Sequence, residues 1–101
     1  MSNKGFTIAY EGRLRTQMKH EASGTIVETD APVDNHGRGE VFSPTDLVAS
    51  AVASCMMTIV GIRCADWGIP APAMRAEVTK EMAANPRRIA RVVVAMTVAL
   101  E

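Results

Sequence analysis

Two thiols share one apolar stretch of this sequence. Cys55 lies near the middle of SPTDLVASAVASCMMTIVGIRCADWG, residues 43–68, and Cys64 lies near its end. A cysteine in such company is either a small buried hydrophobe or, once ionised, a nucleophile. Neither a disulfide framework nor the CxxC spacing of a zinc site is present. On a helix, nine residues separate the two thiols by about 13.5 Å of rise and roughly half a turn. That is far beyond the ~7 Å Cα separation a disulfide tolerates. The chemistry left open is that of a single working thiol, with Cys64 serving as packing. His20 and His36 have no ligand-spaced partner, so no metal is expected, and nothing in the sequence asks for a cofactor. The seven methionines read as packing material that near a thiol can line an apolar pocket.

The element that must carry the thiols is a long helix. Ser43, Thr45 or Asp46 can accept a hydrogen bond from a first-turn N–H, and Pro44 suits a position where no helical N–H is needed. Gly68 supplies a left-handed residue at the far end, Ile69 can pack back on the last turn, and Pro70 stops the helix. Between these marks Leu47, Val48, Ala51, Val52, Cys55, Met56, Ile59, Val60 and Ile62 recur at three- and four-residue steps. Ala49, Ala53 and Met57 fill most of the remaining circumference, which predicts a helix buried on nearly every side, by the rest of the chain or by a second copy.

Strands surround it. Phe6, Ile8 and Tyr10 alternate with Thr7 and Ala9, Glu11 and Gly12 are read as a turn, and Leu14, Thr16 and Met18 alternate with Arg13, Arg15, Gln17 and Lys19. A turn at Ala22 to Gly24 leads to a third strand over Thr25 to Thr29, giving a meander for which the helix is the natural cover. Asp30 to Phe42 carries Pro, Asn and two glycines with little periodicity, and is expected to be a surface loop of the length that is often functional. After the helix, Met74, Ala76, Val78 and Met82 alternate with Arg75, Glu77, Thr79 and Glu81. Asn85 to Arg88 turn the chain into a last, β-branched strand, IARVVVAMTVAL, apolar on both faces as expected of a strand with neighbours on both sides or at an interface. The expected fold class is α+β in the order βββ-α-ββ, with antiparallel sheets packed on a central helix.

Length and charge bound the function. A chain of 101 residues is expected to form one domain over residues 1–101. A formal net charge of zero gives no electrostatic footprint for nucleic acid or an acidic membrane surface. The opening MSNKGFTIAYEGR lacks the apolar core of a signal peptide, and no apolar run is expected to reach the ~20 residues that span a bilayer. The expectation is a cytoplasmic protein with neither nucleic acid nor membrane as partner.

The segment GRGEVFSPTDLVASAVASCMMTIVGIRCADWGI, preceded by YEGRLRTQMKH and TDAPVDNHG and followed by a strand pair, resembles the OsmC/Ohr family of osmotically inducible and organic hydroperoxide resistance proteins. The most specific element is the spacing from Pro44 to Cys55, and the resemblance runs over nearly the whole chain. It implies an intertwined α+β homodimer whose cysteine-bearing helices are buried between two sheets. It also implies thiol-dependent reduction of organic hydroperoxides, with recycling by an external dithiol. Cys55 falls on the peroxidatic position. A thiolate in mid-helix is beyond the reach of the helix dipole and needs an activating cation. The family draws an arginine from its N-terminal strands. Arg15 matches it best by its spacing to Gly24, with Arg13 two residues earlier and expected on the same strand face. Leu47, Val48, Met56 and Met57 are candidates for an apolar wall that binds the organic hydroperoxide in preference to hydrogen peroxide.

The sequence departs from the family in two places. The residue after the helix-opening proline, a glutamate that holds the arginine in the peroxidases, is Thr45 here, and Asp46 points about 100° away on the helix. The family's resolving cysteine belongs to a later segment, which this sequence, ending at Glu101, does not reach. A noncatalytic member binding a small apolar molecule, or a shortened chain whose catalytic cycle is incomplete, is therefore the alternative.

Overall fold

The computed structural model describes residues 5–99. The polar opening from Met1 to Lys4 lies outside the described residues, as do Leu100, expected to end the last strand, and Glu101. The elements run β1 (Phe6–Gly12), β2 (Arg15–His20), β3 (Ile26–Asp30), a short 3-10 turn (Val33–Asn35), α1 (Pro44–Asp66), β4 (Ala73–Ala83) and β5 (Arg88–Ala99). The expected order βββ-α-ββ, with antiparallel sheets, is the order observed. The chain divides into two compact units between Pro44 and Thr45, and each is described by itself.

The first unit is an antiparallel meander in the order β1-β2-β3. Register puts Phe6 opposite His20, Ile8 opposite Met18, and Arg15 opposite both Gly12 and Asp30. The first turn is not at Glu11 and Gly12. Arg13 and Leu14 are its central residues, with φ of 56° and 62°. A two-residue hairpin of this kind needs left-handed backbone at both central positions because only that hand matches the twist of the strands. Gly12, at φ 89°, sits in a register irregularity instead of the turn. Arg13 therefore does not share a strand face with Arg15, and Leu14 does not share one with Thr16. β3 begins one residue late and includes Asp30. Beyond it the chain makes a closed loop: the Asp30 N–H donates to the Phe42 carbonyl, and Ala31 N–H reaches the Leu14 carbonyl.

In the second unit α1 runs beside the β4-β5 hairpin. Its end is a Schellman arrangement: Ile69 N–H donates to the Cys64 carbonyl and Gly68 N–H to the Ala65 carbonyl, with Gly68 at φ 68°. Along β4, the alternating half-buried residues are Met74, Ala76, Val78, Lys80 and Met82, with Ala83 half-buried at the strand end. The alternating residues are paired with Val98, Met96, Val94, Val92 and Ile89 of β5. β5 pairs with β4 alone among the described residues.

Within the single chain α1 is not covered on every side, so the expected cover from the rest of the chain is only partial. Only Ala49, Ala53 and Cys64 of α1 are buried, whereas Val48, Val52, Met56, Ile59 and Ile62 are 43–56% exposed. The buried residues of α1 are small ones. The larger residues lie on the other side and remain exposed in the single chain. Phe6, Ile8 and Tyr10 of β1 are likewise exposed. α1 also departs from the expectation that no apolar run reaches membrane-spanning length. α1 has 23 residues with a mean hydropathy of 1.8 over its most apolar window, enough by length and composition alone to cross a bilayer.

Candidate functional site

Cys55 is exposed and sits in a shallow groove with Val48, Ala51, Val52 and Met56. Positions 48, 51, 52, 55 and 56 form one stripe at helical spacing, so the thiol is framed by apolar side chains above and below it. Of the wall residues expected from sequence, Val48 and Met56 lie in this groove. Met57 instead lines a cleft with Ser50, Ala53, Ser54, Ala76 and Val78 on the sheet side of the helix, and half-buried Leu47 lies outside both sets. Ala51 and Val52 belong to the groove and were not singled out by sequence. Cys64 lies about two and a half turns further along α1, on the opposite side of the helix, among Val60, Ile69, Pro70 and the ends of β4 and β5, and is buried. No group of three or more His, Cys, Asp or Glu side chains among the described residues is placed to hold a metal ion.

At the start of α1, Lys80 is the cation that engages Thr45, the residue after the helix-opening proline. Its Nζ donates to Thr45 Oγ1 at 2.5 Å and lies 3.0 Å from Asp46 Oδ1. Thr45 and Asp46, one helical step apart, thus converge on one ammonium from β4. Nothing in the alternation of β4 marked Lys80, because a lysine at an inward position is read from its partner and not from its period.

The candidate arginine has a different set of partners, all in the first unit. Arg15 Nε donates to Asp30 Oδ1 at 2.7 Å and its Nη2 to Asp30 Oδ2 at 2.8 Å, a bidentate pair across the β2-β3 register. Nη2 also donates to Glu40 Oε1 at 2.9 Å. The backbone N–H of Glu40 donates to Asp30 Oδ2, and Arg38 Nη2 stands 3.9 Å from Asp30 Oδ1. Arg38 Nε is buried without a hydrogen-bond partner among the described residues. The Asp30 side chain is wholly shielded, that of Arg15 is 19% exposed, and that of Glu40 is 61% exposed.

Hydrogen bonding from Arg15 holds the Asp30 carboxyl down to about 2 against its ordinary 3.8. Burial opposes the shift, and the Glu40 N–H and the nearby arginines add to it. The same hydrogen bond raises Arg15 still further above its ordinary value. Since the folded Asp30 value lies below the unfolded one, its contribution to stability is fully present above pH 3.8 and is lost as pH falls toward about 2. The melting temperature is therefore expected to drop across that interval, and Asp30→Asn is expected to flatten the drop. Thermal scans by circular dichroism at several acid pH values measure both.

The loop that brings Glu40 to Asp30 depends on a close approach. A Cβ placed on Gly37 would lie 1.7 Å from the Ala31 carbonyl oxygen, while the Gly37 N–H bonds the Pro32 carbonyl. Gly37→Ala must therefore push the loop open. A loss of about 1–3 kcal/mol is expected, as for other overpacked sites, read as a lower melting temperature.

No protein-family model matches this chain, and no curated protein does. Among solved structures, it is similar to a protein of Psychrobacter arcticus 273-4 provisionally described as an osmotic stress induced and detoxification response protein. The two are 48% identical with a TM-score of 0.91, and the match covers 100% of this chain and 74% of that one. The fold and the cysteine-bearing helix define the class: a small α+β protein built as a meander, a long helix and a hairpin. The chain belongs to the OsmC/Ohr family.

Proposed function

We propose that this protein is a cytoplasmic, intertwined homodimer that reduces organic hydroperoxides through Cys55. The observation that carries the reading is an exposed thiol in an apolar groove at the middle of the family's helix. The Cys55 thiolate attacks the terminal peroxide oxygen, the O–O bond breaks, and the alkoxide leaves and takes a proton to become the alcohol. Sulfur loses two electrons and becomes a sulfenic acid. An external dithiol then condenses with the sulfenic acid, releasing water, and its second thiol opens the mixed disulfide to restore Cys55. Arg15 is the proposed cation that favours the thiolate and orients the peroxide, with Arg13 the weaker candidate because it stands in the turn. Val48 and Met56, with Ala51 and Val52, form the proposed wall for the organic group, and Leu47 and Met57 stand outside it.

Homodimerisation supplies the cover that α1 lacks in one chain. Burying Ile59 and Ile62 against a second copy, with Val48, Val52 and Met56 left to line the groove, removes from water part of a stripe that a lone soluble domain rarely exposes. The test of function is hydroperoxide consumption with a dithiol, wild type beside Cys55→Ser. A noncatalytic, ligand-binding role is the second reading. It is favoured by Thr45 and Asp46, which hold Lys80 where the peroxidases have a glutamate holding an arginine. Binding of an apolar ligand without any oxidation of Cys55 by hydroperoxide would select it.

A further inference from the structure

We infer that Asp30 is a positioning residue for the reaction, with Glu40 as its exposed auxiliary, and that together they do for Arg15 what the glutamate after the helix-opening proline does elsewhere in the family. The inference rests on the peroxidase reading above and adds to it residues that lie outside the cysteine-bearing helix.

The geometry is specific. A guanidinium is a planar fork, and which edge of it is occupied decides which edge faces a reactant. Asp30 takes the edge formed by Nε and Nη2, and Glu40 takes a second bond from Nη2. Nη1 is the nitrogen that bonds no side chain among the described residues, so it is the end left to meet a thiolate or a peroxide oxygen. The clamp is rigid on one side. Asp30 is opposite Arg15 in register, is wholly shielded, and is itself fixed by the Glu40 N–H, so neither carboxylate oxygen has freedom to turn. Glu40, mostly exposed on the loop, is the second partner.

The experiment is single-turnover oxidation of Cys55 by cumene hydroperoxide, followed by intact mass, in wild type, Asp30→Asn, Arg15→Ala and the double variant, with melting temperatures alongside. Asp30→Asn is expected to slow oxidation by at least about tenfold, the scale of a lost orienting contact. Arg15→Ala is expected to slow it at least as much, and the double variant to react no more slowly than Arg15→Ala. That non-additivity separates positioning from a structural role, which would add to the loss of Arg15. Arg15→Lys covers the case in which Asp30→Asn does not fold. It keeps a positive charge beside Asp30 but has no fork to orient, and a tenfold loss is expected again. Wild-type rates in either Asp30→Asn or Arg15→Lys, or additive losses in the double variant, would overturn the inference while leaving the peroxidase standing. A wild-type Cys55 that hydroperoxide does not oxidise would remove both.

Discussion

Cys55→Ser is expected to bring cumene hydroperoxide consumption down to the protein-free background, while Cys64→Ala leaves the rate unchanged. A serine oxygen has no lone pair soft enough to take the peroxide oxygen, and there is no sulfur left to be oxidised by two electrons, so the loss is of the reaction itself and not of its efficiency. Cys64 offers the contrast. It is buried under the helix end, about two and a half turns from Cys55, with its carbonyl engaged by Ile69. Its removal costs packing of about 1 kcal/mol, the scale of a small core truncation, and touches no reacting atom. Consumption assays with a dithiol, with each variant's melting temperature, separate the two effects.

Ile62→Asp is expected to convert the proposed dimer to monomer at concentrations where the wild type is paired. Ile62 lies on the exposed face of α1 at 56% exposure, seven residues and about 10.5 Å of rise from Cys55. It is therefore remote enough to leave the groove around the thiol unchanged. In a dimer that covers this face, a carboxylate there would be buried without a partner. A rise in the dissociation constant of at least about 100-fold, some 3 kcal/mol, is expected from sedimentation equilibrium. If the variant and the wild type have the same mass in solution, α1 is not the interface, and its apolar face must be covered in another way.

The ends of α1 were the most legible part of the sequence, because Pro44 and the run Gly68-Ile69-Pro70 each act through a local backbone requirement. Strand order was legible for a related reason: alternation is a local signal. The first hairpin was misplaced by two residues since Gly12 is the obvious turn former, yet the left-handed pair is Arg13 and Leu14, which no propensity favours. What covers α1 was not legible. An all-round apolar composition states that cover is needed, and in the single chain only Ala49, Ala53 and Cys64 receive it. Cys55 as the candidate thiol was visible from its setting. The partners of Arg15 were not, because Asp30 and Glu40 lie 15 and 25 residues away along the chain, and one of them is in a loop with no period to read. The closed loop from Asp30 to Phe42 is a candidate for function by its length alone, and the bonds that fold it over Asp30 have no periodic signal in the sequence.

The central claim is that Cys55 is oxidised by an organic hydroperoxide and restored by a dithiol. Intact mass after one equivalent of cumene hydroperoxide tests it most directly. The account predicts a gain of one oxygen, localised to the peptide bearing Cys55, absent in Cys55→Ser and reversed on adding dithiol. An unchanged mass in the wild type, or the same gain in Cys55→Ser, would contradict it.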